Sequence, residues 1–300
     1  MSIKTSINLW HHDVPQYGIY TTEECIEILK NAGYEAVDFP MCNWPEGDDI
    51  VFSEAFEEKV IAFAEQLREN GMIVGQTHLP YVPGYYPRKE EEGEEYFLEV
   101  FLPRVIRGIE LTAKMGCKVA VFHLYLGKDR EETLDVNRKT LDLLRPVCKR
   151  TGVKVALENV FGWNSREGIC PCNVDTKEDM VDYVDYGGSE YFGICFDTGH
   201  AALLGYDPIE FIEACGKRLI ALHVNSNTGR KWVDDLHMIP GSLNWTEPIK
   251  WEKISETLGK VGYSGTYNLE VLVPYGSNRN MVKTFVAYTG AVARNYADMI

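Results

Sequence analysis

The sequence predicts an α/β protein, a single closed (β/α)8 barrel over residues 1–300, on three observations. Short apolar runs of strand character alternate with amphipathic helical stretches from end to end. Eight such strand-then-helix units fit within the 300 residues. Most of the strands end on a lone acid or histidine. Strict alternation implies a parallel sheet with helices outside it, and eight units in roughly 250–300 residues match a closed barrel. An open doubly wound sheet is the competing architecture, but no Gly-rich dinucleotide turn follows the first strand.

In order, Ser6–Trp10 reads as the first strand. Thr21-Thr22-Glu23-Glu24 has the form of a capping box opening a helix through Ala32, with Gly33 as its stop. Glu35–Phe39 is the second strand, Ser53–Asn70 a long amphipathic helix closed by Gly71, and Met72–Leu79 the third strand. A loop rich in Pro, Gly and Tyr follows (Pro80–Arg88), then a helix around Glu95–Met115 with Gly116 as its stop. Its acidic entry, Glu91–Glu95, reads as a solvated helix start favoured by the helix dipole. Lys118–Leu124, Val153–Val160, Gly193–Asp197, Leu219–Val224 and Thr266–Val271 are strands four to eight. The helices Arg130–Arg150, Lys177–Tyr186, Pro208–Cys215, Pro248–Lys260 and Asn280–Tyr296 follow them in turn. No repeat, low-complexity segment or interdomain linker interrupts the series.

The apolar fraction of 45% is ordinary for a globular core. No apolar run is long enough to span a bilayer, and the start MSIKTSINLWHHD lacks the charged-then-apolar form of a secretory signal. The eight cysteines are scattered, several within apolar patterns, which suits reduced thiols in a cytoplasmic protein. Cys170-Pro171-Cys172 is the one close pair and is read as loop chemistry, since a CxC without a second pair is weak evidence for zinc. A formal charge of −15 with only short basic bits argues against a nucleic-acid partner.

The chemistry concentrates around FGICFDTGHA, residues Phe192–Ala201, a buried strand running into a loop with Asp197 and His200 either side of Thr198-Gly199. The same grammar recurs at His78, His123, Glu158, His223 and Glu270. A carboxylate or imidazole in an apolar run is costly to bury unless paired or metal-bound, and a barrel brings the carboxyl ends of its strands to one mouth. Glu158, Asp197, His223 and Glu270 fall on the last four strands in succession. Three carboxylates and one imidazole suit one divalent cation, Mn²⁺ foremost, with Co²⁺, Mg²⁺ or Zn²⁺ also fitting. Such an ion polarises a carbonyl and acidifies the neighbouring C–H, and Glu158 and Glu270 are the candidates to remove and return that proton. His78, His200, Arg230 and Trp163 are candidate substrate contacts, and His123, Asp235 and His237 candidate further ligands. Trp44, Tyr81, Tyr85, Phe161 and Trp232 can wall the mouth, and at most one of His11 and His12 is expected to face it.

LEN at Glu158, DTGH at Asp197–His200, HVN at His223, DLH…PG at Asp235–Gly241 and the terminal LEV at Glu270 resemble the xylose isomerase-like TIM barrels over essentially the whole chain. That superfamily holds sugar isomerases, ketose 3-epimerases, inosose dehydratases, hydroxypyruvate isomerases and endonuclease IV. The resemblance to the epimerase branch implies one Mn²⁺-like ion on Glu158, Asp197, His223 and Glu270, the two glutamates as acid and base, and His200 on the substrate. It implies a metal-dependent sugar or polyol isomerase or epimerase acting through an enediolate; apart from the resemblance, the residues themselves suggest a cytoplasmic protein with no membrane partner, whose last and outer helices offer surfaces for a homo-oligomer. Dehydration of a keto-inositol uses the same site. A rival of another class is a three-zinc phosphodiesterase on abasic DNA, because the endonuclease IV zinc site resembles His78, His123, Glu158, Asp197, His200, His223, Asp235, His237 and Glu270 taken together. A barrel that binds sugar or metal without catalysis is the third alternative. A phosphorylated substrate is disfavoured, as no Gly-rich turn follows strands seven or eight.

Overall fold

The computed structural model describes residues 2–8, 21–42, 48–81, 93–164, 166–230, 235–243, 249–274 and 276–300. Trp10, His11, His12, Trp44, Tyr85 and Trp232 lie outside the described residues. Eight strands among them form one sheet: β1 (Thr5–Asn8), β2 (Ala36–Pro40), β3 (Ile73–His78), β4 (Val119–His123), β5 (Lys154–Glu158), β8 (Phe192–Asp197), β9 (Leu219–His223) and β10 (Tyr267–Leu269). Every neighbouring pair is parallel, and β10 pairs with β1. The ring closes between β9 and β10: Val224 N donates to Asn268 O at 2.9 Å and Glu270 N donates to Val224 O at 3.1 Å. The chain is a single (β/α)8 barrel.

The outer helices are α1 (Thr22–Asn31), α2 (Glu54–Glu69), α3 (Leu102–Lys114), α4 (Arg130–Thr151), α5 (Lys177–Gly187), α7 (Pro208–Cys215), α8 (Trp251–Val261) and α9 (Arg279–Ala297). The capping box that opens α1 is present, with Glu24 N donating to Thr21 Oγ1 at 3.3 Å and Thr21 N to Glu24 Oε2 at 3.0 Å. Each reciprocal bond satisfies an N–H that a helix start otherwise leaves without a partner. Helix α9 closes on α1 so tightly that a Cβ at Gly290 would lie 2.1 Å from Ala32 O. Its Arg294 donates to Ile3 O at 3.1 Å and pairs with Glu35, tying the last helix to the first strand. No described helix is long and apolar enough to cross a membrane. All eight cysteines are free thiols.

Three local features depart from the sequence expectation. The expected helix 95–115 begins as a wide π-type turn, Tyr96–Phe101, before becoming α3. The wide turn sits just ahead of Pro103, whose missing N–H removes one α-type bond. A short antiparallel hairpin, β6 (Gly162–Asn164) with β7 (Gly168–Cys170), follows β5. The segment after Asp197, expected as a loop, is a short helix, α6 (Thr198–Leu204), which Asp197 caps and Gly205 ends in the left-handed conformation (φ 76°).

Inside the barrel, side chains two residues before each mouth residue form a layer in two halves. One half is small and apolar: Val121, Ala156, Cys195 and Ala221 form a buried cluster of their own. The other half is polar: Ser6 Oγ donates to Asn268 Oδ1 at 2.7 Å, and Gln76 Nε2 and Asn268 Nδ2 each donate to Asp38 Oδ2 at 3.0 Å. This layer is the floor under the mouth.

Candidate metal centre

Period-two alternation puts residues 78, 123, 158, 197 and 223 on the inward face at the carboxyl ends of their strands. Register brings them level: His123 pairs with Glu158 across β4 and β5, and Asp197 with His223 across β8 and β9. Glu270 follows β10 directly and is buried, as are His78, Glu158, Asp197, His200 and His223.

Glu158, Asp197, His223 and Glu270 each offer a ligand atom, and these four atoms lie within 4.8 Å of one another. His223 Nδ1 lies 2.9 Å from Glu158 Oε1 and 3.1 Å from Glu270 Oε2. Ligand atoms at right angles about an ion with bonds of about 2.1 Å are separated by about 3.0 Å, so this spacing suits a shared cation. The donor set fits as well. Without a cation, three buried carboxylates would repel one another.

Two further groups flank the centre. His123 Nε2 lies 2.9 Å and His78 Nε2 3.5 Å from Glu158 Oε2, so Glu158 faces both this pair and the centre. His78 Nδ1 lies 2.9 Å from Leu79 O, which can only accept; Nδ1 therefore carries the proton, and Nε2 faces Glu158. On the other side, Asp235 Oδ2 lies 3.1 Å from His200 Nε2 and 2.5 Å from His237 Nε2. His237 holds a left-handed backbone (φ 43°), uncommon outside glycine. Its Nδ1 lies 3.1 Å from Glu270 O, which joins this group to the centre.

Asn159, Asn225 and Asn227 support these residues. Asn159 Oδ1 accepts from Asp197 N at 2.8 Å, and Asn159 O is 2.8 Å from His200 Nδ1. Asn225 Nδ2 donates to Asp197 Oδ2 at 2.8 Å, and Asn227 Nδ2 donates to Asp235 Oδ1 at 2.7 Å. Asp197 Oδ1 accepts from His200 N at 2.6 Å as the cap of α6. Gly199 is explained by these neighbours: a Cβ there would fall 1.8 Å from Asn225 Oδ1 and 2.5 Å from Asn227 Nδ2.

The electrostatics follow from burial and crowding. Burial pushes the Glu158 carboxyl up, but His223 and His123 outweigh it and hold it well below the usual range. Asp197 is pushed up to about 7, by burial first, and then by Glu270, Glu158 and Asp235 against the opposing His200. Burial pulls His223 down, yet Cys195, Glu158, Glu270 and Asp38 together hold it well above the ordinary imidazole value. Burial likewise opposes, and Asp235 and Glu270 overcome, at His237, which is raised to about 10. His123 is lowered, since burial there exceeds the pull of Glu158.

The other candidates are placed less centrally. Tyr81 lies across His123 (ring centroids 4.6 Å) and His78 (5.6 Å) at the rim. Trp163 is half-buried on the hairpin against Phe161, Ile169 and Leu203, and Phe161 meets the His200 ring edge-on at 5.1 Å. Arg230 is exposed in the stretch after β9. Sequence reasoning passed over Asp38, a 1%-exposed acid whose Oδ2 lies 3.2 Å from His223 Nε2. The signal was an aspartate inside the apolar run AVDFP, in mid-strand rather than at a strand end.

Comparison with known proteins agrees with this architecture. Residues 26–284 match the family model for the xylose isomerase-like TIM barrel. An uncharacterized protein of Methanocaldococcus jannaschii, MJ1311, is 32% identical over 142 residues, 46% of this chain and 44% of that one. A probable endonuclease 4 of Nitrosopumilus maritimus is 24% identical over 153 residues, 50% of this chain and 51% of that one. These matches span about half the length of the relatives. Among solved structures, a D-tagatose 3-epimerase-like protein superposes with a TM-score of 0.71 at 20% identity, covering 99% of this chain and 97% of the other. A D-psicose 3-epimerase superposes at 0.69 with 13% identity, covering 98% and 99%. At that identity the superpositions establish the fold alone. The chain belongs to the xylose isomerase-like TIM barrel family.

Proposed function

We propose that the chain is a divalent-metal-dependent sugar or polyol isomerase or epimerase, moving a proton at a carbon next to a carbonyl. The observation that carries this reading is the convergence of Glu158, Asp197, His223 and Glu270, ligand atoms within 4.8 Å, at a buried barrel mouth. These four residues would hold the ion, with Mn²⁺ favoured by three oxygen donors and one imidazole. A bound divalent ion supplies Lewis-acid polarisation of a substrate carbonyl, which makes the adjacent C–H more acidic.

The chain's own residues supply the rest. Glu158 and Glu270 share the proton transfer but are not equivalent. Both Glu158 oxygens are close to imidazoles, His223 on Oε1 and His123 with His78 on Oε2. Glu270 meets His223 and His237 through Oε2, so its Oε1 is the better placed to take a proton, with Glu158 returning it. His200 has Nδ1 on Asn159 O and Nε2 on Asp235; a substrate hydroxyl would take the place of Asp235 on Nε2. Tyr81 beside His78 and His123, and Phe161 beside His200 with Trp163 behind it, would offer apolar faces that exclude water and pack on the C–H side of a sugar. The epimerase superpositions support a sugar as the substrate class. Dehydration of a keto-inositol would use the same first proton abstraction.

A second reading is favoured by one specific observation. His78 with His123 and Glu158, and His200 with Asp235 and His237, also form ligand groups within 4.8 Å. Three adjacent groups suit a multinuclear phosphodiesterase acting on abasic DNA, and the endonuclease 4 relative supports it at low identity. The experiment is solvent deuterium incorporation into a panel of ketoses and inososes with Mn²⁺, run beside incision of an abasic-site duplex with Zn²⁺. Exchange without incision is expected. Incision without exchange selects the second reading, and neither activity with any substrate leaves a barrel that binds without catalysing.

A further inference from the structure

We propose that Asp38 is a positioning residue of the candidate metal centre, fixing His223 with its proton on Nε2 and the lone pair of Nδ1 turned towards the ion. The inference rests on the reading that a divalent ion is held by Glu158, Asp197, His223 and Glu270.

Asp38 lies mid-strand in β2 with 1% exposure. Burying a carboxylate is costly unless hydrogen-bond donors converge on it. Two amides do so on one oxygen, Gln76 Nε2 at 3.0 Å and Asn268 Nδ2 at 3.0 Å, and His223 Nε2 approaches the same oxygen to 3.2 Å. The two amides are themselves held. Ser6 Oγ donates to Asn268 Oδ1 at 2.7 Å, which orients the Asn268 NH₂ towards Asp38. Gln76 Nε2 also reaches Leu222 O at 3.3 Å, next to His223 in the chain. Asp38 Oδ2 is thus fixed from β3 and β10 independently of the histidine it faces.

His223 shows the complementary need. Its Nδ1 is committed to the centre, between Glu158 Oε1 and Glu270 Oε2. Its Nε2 is buried and has no hydrogen-bond partner among the described residues, the 3.2 Å approach to Asp38 falling outside hydrogen-bond geometry. The Cys195 thiol also lies beside the ring, but a thiol is a weak partner for an imidazole N–H. A carboxylate on the outer nitrogen fixes the tautomer of a metal-ligating histidine and raises its basicity.

The test combines Mn²⁺ titration calorimetry on wild type, D38A, D38N and H223A with ¹⁵N-histidine NMR of the wild type loaded with diamagnetic Zn²⁺. D38A is expected to weaken Mn²⁺ binding by about 10–100-fold. D38N, which keeps one accepting oxygen, should weaken it less than D38A, and H223A should weaken it more. In the wild type the His223 proton is expected on Nε2. A folded D38A that binds Mn²⁺ within about twofold of wild type, while H223A is impaired, overturns the proposal, as does an Nδ1–H His223. Wild type and H223A binding Mn²⁺ alike would overturn the metal reading itself, and this proposal with it. Should D38A fail to fold, D38N and the NMR of the wild type decide.

Discussion

Replacing Gly199 by alanine tests how the mouth is built. The added Cβ would meet Asn225 Oδ1 at 1.8 Å and Asn227 Nδ2 at 2.5 Å. Neither side chain can retreat cheaply, because both are buried and hold carboxylates of the site, Asp197 and Asp235. Overpacking costs about 1–3 kcal/mol. Loss of one buried hydrogen bond to a carboxylate adds about 1.5–3 kcal/mol. The better helix propensity of alanine in α6 returns at most about 1 kcal/mol. The net loss of about 2–5 kcal/mol is a large share of an ordinary folding stability, and corresponds to a fall in Tm on the order of 3–8 °C for a chain of 300 residues. Differential scanning calorimetry on metal-free protein measures it apart from any ion. Truncating Asn225 as well should recover part of the loss, since the nearer of the two clashes then disappears while that with Asn227 stays. A G199A protein melting within about 1 °C of wild type would refute the reasoning.

Four further outcomes are expected. E270Q should slow solvent-proton exchange into a substrate ketose by about 10²–10⁴-fold, followed by ¹H NMR; an unchanged rate removes Glu270 from the proton transfer. E158Q should cost more stability than E270Q, because Glu158 faces His78, His123 and His223 with both oxygens, whereas Glu270 faces His223 and His237 through one; equal Tm values in calorimetry would contradict this. Metal affinity should fall as pH drops through 7, since Asp197, raised to about 7, and His223, raised by Cys195 and by its carboxylate neighbours, must both release protons to bind. Calorimetry in buffers of different ionisation enthalpy should therefore show proton release at pH 7, and none would count against it. Saturating Mn²⁺ at 100 times its Kd should stabilise the fold by about 2.7 kcal/mol, so a chelator should lower Tm by several degrees, whereas no change means no ion is bound.

Much of this was legible in the sequence, and the reason is physical. Parallel strands buried on both faces read as apolar runs, so acids and histidines interrupting their ends stand out. Register then puts such ends level, which is why His123 and Glu158, or Asp197 and His223, meet across adjacent strands. What escaped the reading depends on long-range placement. Asp38 reads as an ordinary mid-strand acid until Gln76 and Asn268, 38 and 230 residues away, are seen to share its oxygen. Helix α6 is hard to see in the sequence because Asp197 serves both as a candidate ligand and as the helix cap, and only seven residues separate it from the stop Gly205. The hairpin β6–β7 spans three residues a side, too short for alternation to register. The resemblance puts His200, Asp235 and His237 in one set, but that Asp235 sits between the two imidazoles needed coordinates, since a spacing of 35 residues says nothing of contact.

The most direct measurement is the anomalous difference map of crystals soaked in Mn²⁺, recorded at a wavelength where manganese scatters anomalously. The account predicts a peak about 2.0–2.4 Å from one atom each of Glu158, Asp197, His223 and Glu270. No peak between those four residues, or manganese confined to His200, Asp235 and His237, would contradict it.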